Sequence, residues 1–301
     1  MPLLALVGPT AGGKSAAALQ AARARVASGQ ATEIVAVDAF TVYRGMDIGT
    51  ATPSPADRGL IPHHLVDVLE PHEELSVAAF RARARAAIDE IRGRGATPLL
   101  VGGSGLYFRA VVDPLRFPPT DPVVRARIED RWRSDAVAAH AHLRAQDPAA
   151  AERIEPGNLR RTVRALEVLE LTGVPFSSFD DGYDRYDSIY PDLEVVLLDP
   201  GSQTLRERIR DRAERMVQAG LVEELARLRA DGPLSRTAAQ AIGYAEAAAV
   251  LDGLASREDL AERIARRTWR YARRQRSWFR ADPRAVPVSS VEEAVARLLR
   301  R

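Results

Sequence analysis

Cysteine is absent from the 301-residue sequence, so disulfide bonds, disulfide-linked partners, thiolate metal sites and cysteine nucleophiles are excluded. Long apolar runs are absent too, since none approaches the roughly 18 residues of a membrane-spanning helix. We therefore expect a cytoplasmic protein without a membrane segment. The 46% of hydrophobic and 28% of charged residues that the chain does contain are typical of a globular protein with a sizeable core.

Lysine is nearly absent. Of the 43 Lys and Arg residues, Lys14 is the only lysine and all the others are arginine. It lies in GPTAGGKS, residues 8–15, which follows an apolar run at 3–7 and matches GxxxxGK[ST]. In that pattern backbone N–H groups converge on phosphate oxygens, the lysine reaches the outer phosphate and the Ser or Thr hydroxyl binds Mg²⁺. A compact ammonium fits between phosphates where a planar guanidinium does not. The sequence predicts a phosphate-binding loop, with Ser15 as a ligand to Mg²⁺.

Two further apolar runs end in residues that could take part in chemistry. Residues 33–37 lead into Asp38, and residues 98–101 lead into the turn that contains Ser104. Helical patterns separate the runs, and this alternation is typical of an α/β fold with a parallel, doubly wound sheet. Because the carboxyl ends of parallel strands meet at one edge, we expect both side chains to lie beside the phosphate-binding loop.

Prolines at positions 114, 118, 119 and 122 mark a change of pattern. The following residues are helical in pattern until an apolar run at 193–198 resumes the sheet. We predict a catalytic core formed by residues 1–114 and 193–301, with a helical domain inserted at residues 115–192. Its clearest helix, residues 159–171, carries Arg160, Arg161 and Arg164 on one face, which is either a solvated face or a nucleic-acid contact.

The formal net charge is only +2, so a basic surface must come from the placement of the arginines. Residues 262–280 predict an amphipathic helix on which six arginines recur at spacings of three and four. This arginine stripe consists of Arg263, Arg266, Arg267, Arg270, Arg273 and Arg274. Trp269, Trp278 and Phe279 lie among them, a combination suited to a phosphate backbone with bases stacked on side chains. The alternative is an exposed basic face over an aromatic core.

Eight segments in series resemble the tRNA dimethylallyltransferase family. They are GPTAGGKS (8–15), VDAFTVYRGMDIGTATP (37–53), HHLVDV (63–68), VGGSGLYF (101–108), NLRRTVRALEVLELTG (158–173), ERMVQAGLVEEL (214–225), QAIGYAE (240–246) and RTWRYARRQRSWFR (267–280). The first is an ATP-binding motif that many NTPases share. The series as a whole is highly specific and spans almost the whole chain.

The resemblance implies transfer of a dimethylallyl group from dimethylallyl diphosphate to the exocyclic amine of the adenosine just 3′ of a tRNA anticodon. It implies a P-loop sheet related to that of nucleotide kinases, with an inserted helical domain that holds the anticodon stem-loop. Mg²⁺ would be the cofactor, and diphosphate would be the leaving group.

The resemblance also implies roles for individual residues. Asp38 would be the general base, Ser104 would assist beside the diphosphate, and Arg212 would contact the leaving group. The residues implied to bind the diphosphate are Gly8, Thr10, Ala11, Gly12, Gly13, Lys14 and Ser15. Those implied to face the tRNA are Asp38, Ala39, Phe40, Thr41, Ser104, Arg125, Arg160, Arg161, Arg164, Gln240, Gly243 and Tyr244, to which the arginine stripe adds Arg270 and Arg274.

Four positions depart from the family's usual residues. Ser104 replaces a Thr, Ala39 replaces a Ser, Thr41 replaces a frequent Gln, and Ala245 replaces a Lys or Arg. We expect activity to survive these changes, which bear on how the target base and the anticodon loop are held.

Three other functions stay open from the residues alone. A small-molecule kinase or NTPase would share the phosphate-binding loop and could use Asp199 to hold Mg²⁺, although Pro200 and Gly201 favour a plain turn there. A prenyltransferase acting on free adenine nucleotides would share the catalytic core, but AMP gives the arginine stripe nothing to bind. A non-catalytic RNA-binding protein would leave Asp38 and Lys14 without a role.

Overall fold

The computed structural model describes residues 1–179 and 185–300. The chain divides into two compact units, Met1–Asp113 with Ser188–Arg301, and Pro114–Asp187. Residues 180–184 and 301, which the predicted domains include, lie outside the described residues. The second unit ends at residue 187, whereas the sequence had placed this boundary at 192. The difference arises because the chain rejoins the first unit earlier, where the Ile189 N–H donates to the Val112 carbonyl oxygen at 2.8 Å.

The first unit is built on a parallel sheet. Its described strands are β1 (Leu3–Val7), β2 (Thr32–Val37), β3 (His63–His64), β4 (Thr97–Gly102), β5 (Leu193–Leu198) and β6 (Ala285–Val288). They pair in parallel in the order β3-β2-β4-β1-β5-β6, which confirms the predicted α/β fold. Val7 and Val37 both pair with Gly102, so the carboxyl ends of β1, β2 and β4 lie together.

The described helices are numbered in chain order. They are α1 (Lys14–Ala27), α2 (Pro55–Leu60), α3 (Val77–Gly93), α4 (Gly105–Val112), α5 (Pro122–Trp132), α6 (Ala136–Gln146), α7 (Pro148–Arg153), α8 (Leu159–Thr172), α9 (Ser202–Gln218), α10 (Leu221–Ala230), α11 (Arg236–Ala239), α12 (Tyr244–Leu251), α13 (Leu260–Arg280) and α14 (Val291–Leu299). Within the described parts of the chain, no helix has the length and apolar character needed to cross a membrane.

Alternation along β1 explains why helices cover both faces of the sheet. Leu4 and Leu6 pack in an apolar cluster with α1 and α14. Leu3, Ala5 and Val7 point to the other face and join a larger cluster that includes α3, α10, α12 and α13. A strand that is apolar on both faces is typical of a doubly wound sheet, which was the sequence prediction.

The second unit is helical and contains α5 to α8, followed by a short 3₁₀ turn at Phe176–Phe179. Side chains of Asp121, Asp135, Asp147 and Asn158 each accept a backbone N–H in the first turn of these four helices. An apolar cluster that includes Leu143 fills its interior. The unit therefore has its own capped helices and its own core.

Candidate active site

A cavity of about 970 Å³ opens in the first unit, where β1, β2 and β4 end. Its lining comes from the phosphate-binding loop, Asp38, the segment 49–54 and helices α9 and α13. Thr10 to Ser15 all line it, whereas Gly8 lies outside the lining. Apart from Gly8, the residues assigned to a diphosphate and to a general base thus share one cavity.

Lys14 is the first residue of α1 and is half-buried in the loop. Its Nζ donates to the Pro9 carbonyl oxygen at 2.8 Å. Burial lowers the pKa of Lys14 to about 8, an effect that the charge of Arg212 reinforces and the carboxylate of Asp38 opposes. An anion bound in the loop would therefore hold the lysine in its charged form.

Asp38 follows β2 directly, and its Oδ1 accepts the Phe40 N–H at 2.8 Å. Burial raises the pKa of Asp38 above its usual range. The Phe40 N–H and the charges of Lys14 and Arg212 act in the opposite direction. The result is a carboxylate that is more basic than an exposed aspartate and lies in the field of two cations.

Arg212 lies on α9 and bridges two walls of the cavity. It donates from Nη1 to the Thr10 hydroxyl oxygen and from Nη2 to the Gly49 carbonyl oxygen, both at 3.2 Å. One turn earlier, Arg208 lines the same cavity and donates to the Gly12 carbonyl oxygen at 3.2 Å. The sequence reasoning chose only Arg212, although the i, i+4 spacing places both guanidinium groups on one helix face. The helix thus supplies two cations to the loop.

The predicted base-facing residues lie at different depths. Phe40 and Thr41 line the cavity, whereas Ala39 does not. Thr41 is only 9% exposed, and its hydroxyl has no hydrogen-bond partner among the residues that the structure describes. Ser104 is the N-cap residue of α4; its hydroxyl makes no capping hydrogen bond and is instead hydrogen-bonded with the side chain of Tyr271. The Thr41 hydroxyl is therefore available to a ligand, whereas Ser104, which was predicted to assist beside the diphosphate, lies outside the cavity lining.

The segment 47–49 is held from behind by a buried carboxylate on α10. Glu224 accepts the N–H groups of Asp47 at 3.3 Å and Ile48 at 3.2 Å. It also accepts the Tyr244 hydroxyl at 2.6 Å, and that hydroxyl accepts the Gly49 N–H at 3.3 Å. A Cβ at position 49 would lie 2.2 Å from the Tyr244 ring, so this close approach requires glycine. The network fixes the carbonyl to which Arg212 donates.

This network corrects one sequence prediction. Tyr244 was assigned to tRNA, but its side chain is 1% exposed and its hydroxyl is engaged with Glu224. The neighbouring Gly243 donates its N–H to Glu246 at 2.8 Å, while Gln240 is exposed. Tyr244 therefore supports the cavity wall, and Gln240 is the member of this group that can reach a ligand outside.

We expect Tyr244→Phe to destabilise the protein by about 1–3 kcal/mol, because the Gly49 N–H and the Glu224 carboxylate lose a buried partner. The midpoint of urea unfolding should fall while its slope is unchanged. Tyr190→Phe is the control, since that ring packs against Arg92 through a cation–π contact that needs no hydroxyl. Affinity for tRNA should stay within about twofold, and a tenfold loss would restore an RNA contact for Tyr244.

In the second unit, the four arginines assigned to tRNA separate into two pairs. Arg125 and Arg164 each lie 2.7 Å from the buried carboxylate of Glu167. Arg160 and Arg161 are exposed on α8. Arg125 links α5 to α8, Arg164 links α8 to the carbonyl oxygens of Pro118 and Pro119, and the second pair remains free to meet a polyanion.

Helix α13 has two functional faces. Arg270 and Arg274 of the arginine stripe are exposed. Thr268, Tyr271 and Gln275 on the adjoining face line the cavity. From the sequence, this face was predicted only to be the inner side of an amphipathic helix. The signal it overlooked was the presence of polar residues among apolar ones.

Asp199, a candidate to hold Mg²⁺ in an NTPase, is engaged elsewhere. Its Oδ2 accepts from Arg276 at 2.9 Å and from Arg280 at 2.8 Å. Its Oδ1 accepts the Gly201 N–H at 3.2 Å. The carboxylate therefore ties β5 to the end of α13 and does not line the cavity.

The comparison with known proteins agrees with this geometry. A family model described as IPP transferase matches residues 41–282. The chain belongs to the IPP transferase family. Among relatives of this family, the chain is 49% identical to a tRNA dimethylallyltransferase of Kineococcus radiotolerans, covering 94% of this chain and 89% of the relative. It is 44% identical to one from Bifidobacterium longum, covering 94% and 84%.

Solved structures of IPP transferases extend the likeness to the fold. The full-length tRNA isopentenylpyrophosphate transferase of Bacillus halodurans has a TM-score of 0.69 and 35% identity, covering 99% of this chain and 94% of that one. A eukaryotic dimethylallyltransferase acting on tRNA has a TM-score of 0.77 at 24% identity, covering 97% and 75%. The family model and the two curated relatives confirm the predicted family resemblance.

Proposed function

We propose that the protein transfers the dimethylallyl group of dimethylallyl diphosphate to the exocyclic amine of the adenosine just 3′ of a tRNA anticodon. The observation that carries the proposal is one half-buried carboxylate, Asp38, in the same cavity as the phosphate-binding loop and the cations Lys14 and Arg212. Relatives named for this activity across nearly the whole chain support it. We place the reaction in the cytoplasm, where tRNA would be met.

The cationic side of the cavity suits the leaving group. When the allylic carbon–oxygen bond breaks, its electron pair stays on the diphosphate oxygen, and negative charge develops there. Lys14, Arg212 and Arg208, together with N–H groups of the loop, line the cavity and are preorganised to stabilise that charge. No phosphate is transferred, so these groups assist departure only.

Asp38 suits the acceptor side. The adenine amine attacks the allylic carbon, the new carbon–nitrogen bond forms, and the amine proton becomes acidic. Asp38 accepts that proton, and the raised pKa that burial gives it makes it a better base for the purpose. The Thr41 hydroxyl, which lines the cavity and has no partner among the described residues, is positioned to orient the base in place of the family's usual Gln.

The Ser15 hydroxyl, together with the oxygens of a bound diphosphate and waters, is a set of ligands that fits Mg²⁺ as a cofactor. Among the described residues no group of three His, Cys, Asp or Glu side chains is arranged to hold a metal. Mg²⁺ commonly uses substrate phosphates and waters with few protein ligands, and the Ser15 hydroxyl lines the cavity for that role. When bound, the ion would neutralise charge on the diphosphate.

The exposed arginines Arg270 and Arg274 on α13 and Arg160 and Arg161 on α8 are the proposed phosphate contacts to the anticodon stem-loop. Guanidinium groups that are not paired with buried carboxylates bind phosphates without a competing partner. Arg125 and Arg164 are excluded from this set because Glu167 holds them.

Replacing Arg270 and Arg274 together by alanine should weaken tRNA binding and reduce its salt dependence by roughly one unit of slope per lost phosphate contact. A filter-binding titration over several salt concentrations measures both effects. Arg23→Ala with Arg83→Ala is the control, because both arginines are exposed elsewhere on the first unit and the charge change is equal. An unchanged slope in the α13 variant would identify these arginines as a solvated face.

Two rival functions are distinguished by one assay. Two samples contain protein, labelled dimethylallyl diphosphate and Mg²⁺, one with unmodified tRNA and the other with AMP. A third sample contains protein, Mg²⁺ and ATP without the prenyl donor. We expect label in tRNA only. Label in AMP but not in tRNA would favour a nucleotide prenyltransferase, and ATP turnover without prenyl transfer would favour an NTPase.

A further inference from the structure

Gln275 spans two loops of the cavity from its place on α13. Its Oε1 accepts the Thr10 N–H at 2.8 Å, and its Nε2 donates to the Gly103 carbonyl oxygen at 2.8 Å. The side chain is only 5% exposed. A Cβ at position 103 would lie 2.2 Å from Nε2, so the second loop is shaped around this amide. One side chain thus joins the phosphate-binding loop to the turn that leads into Ser104.

Through its hydrogen bond to Thr10, Gln275 is linked to Arg212. The Thr10 N–H is directed to Gln275, while the Thr10 hydroxyl oxygen accepts from Arg212 at 3.2 Å. The Thr10 backbone is therefore held by Gln275 on α13, and the Thr10 side chain in turn holds Arg212. Removing the amide would free the first half of the phosphate-binding loop and one anchor of the guanidinium.

We propose that Gln275 is a positioning residue for the donor site: its amide fixes Thr10 and Gly103, and through Thr10 it orients Arg212 toward the diphosphate. No contact between Gln275 and substrate is required. The same helix carries the exposed Arg270 and Arg274 on the adjoining face, so α13 supports both the donor site and the proposed RNA surface. The inference deepens the proposed function and rests on it for the reaction, but diphosphate binding tests it separately.

The chemistry of the amide explains why other residues would not serve. Position 275 needs an acceptor toward the Thr10 N–H and a donor toward the Gly103 carbonyl, and a glutamine side chain supplies both at fixed spacing. Methionine has a similar length but leaves both backbone groups without that partner. Glutamate keeps the acceptor, loses the donor, and adds negative charge to a cavity that binds an anion.

The test measures binding of inorganic pyrophosphate with Mg²⁺ by calorimetry on the full chain, and steady-state kinetics of prenyl transfer. For Gln275→Met we expect the pyrophosphate Kd and the KM for dimethylallyl diphosphate to rise about tenfold, with tRNA affinity within about twofold. Gln275→Glu should weaken pyrophosphate at least as much. Gln218→Met is the control, because Gln218 is exposed at the end of α9.

A double-mutant cycle separates positioning from general loss of stability. Thr10→Val removes the hydroxyl that Arg212 uses but keeps the backbone N–H. If Gln275 acts through Thr10, the effect of the double variant on pyrophosphate Kd is smaller than the product of the two single effects. Independent effects, or a Gln275→Met protein with wild-type pyrophosphate Kd and donor KM, overturn the inference. If the wild-type protein binds pyrophosphate but does not prenylate tRNA, the proposed function is contradicted while the positioning role of Gln275 is not.

Discussion

Asp38→Asn lowers turnover by about 10²- to 10⁴-fold, the usual contribution of a general base, and leaves tRNA affinity within a few fold. Asparagine has the same size and can still accept the Phe40 N–H, but it cannot take up the amine proton. Single-turnover prenyl transfer at saturating donor is the measurement, because it isolates the chemical step. The wild-type rate should also fall with decreasing pH, as Asp38 becomes protonated at a pKa above its ordinary 3.8.

Asp199→Asn is the matched control for that experiment. It replaces another carboxylate that follows a strand of the same sheet, but this one is paired with Arg276 and Arg280 outside the cavity lining. Its turnover should stay within a few fold of wild type. Near-normal turnover in Asp38→Asn, or a larger loss in Asp199→Asn, would show that the base has been assigned to the wrong residue.

Lys14→Arg should lower turnover by about 10²- to 10³-fold, although charge is preserved. The lysine is half-buried within the loop and its Nζ donates to the Pro9 carbonyl oxygen, which leaves little room for a planar guanidinium. Lys14→Ala is the companion variant, and we expect the two to be similarly impaired. Full activity in Lys14→Arg would mean that charge alone matters at this position.

The same lysine predicts the alkaline limit of donor binding. Since the pKa of Lys14 is lowered to about 8, the free protein loses this charge as pH rises through 8, and pyrophosphate affinity should fall there. Calorimetry on both sides of pH 8 measures the change. Because Lys14 is the only lysine, an amine reagent should modify it and the chain's amino terminus alone, and pyrophosphate should protect Lys14 selectively.

The architecture could be predicted because its signals are local. Three apolar runs, each followed by a functional residue, were enough to expect a parallel sheet with Asp38 and the phosphate-binding loop at one edge, since strand polarity brings their ends together. The confirmed sheet and family follow from that pattern and from the eight motifs. The single lysine, Lys14, also pointed to the phosphate-binding loop from the sequence alone.

The side-chain network could not be predicted in the same way, because its partners are far apart in sequence. Gln275 meets Thr10 across 265 residues, and Glu224 meets Ile48 across 176. Family motifs drew attention to Tyr244 but do not distinguish burial from contact with RNA. Likewise, a shared helix face could not show that Arg164 pairs with Glu167 while Arg160 stays exposed.

The central claim is that the phosphate-binding loop serves a leaving group and that no phosphoryl group is transferred. It is tested most directly with dimethylallyl diphosphate that carries one label in the dimethylallyl group and another in the phosphates, incubated with Mg²⁺ and unmodified tRNA. The account predicts one intact diphosphate released for each dimethylallyl group found on the exocyclic amine of the adenosine 3′ of the anticodon. Phosphate label in the tRNA, or release of monophosphate in its place, would contradict it.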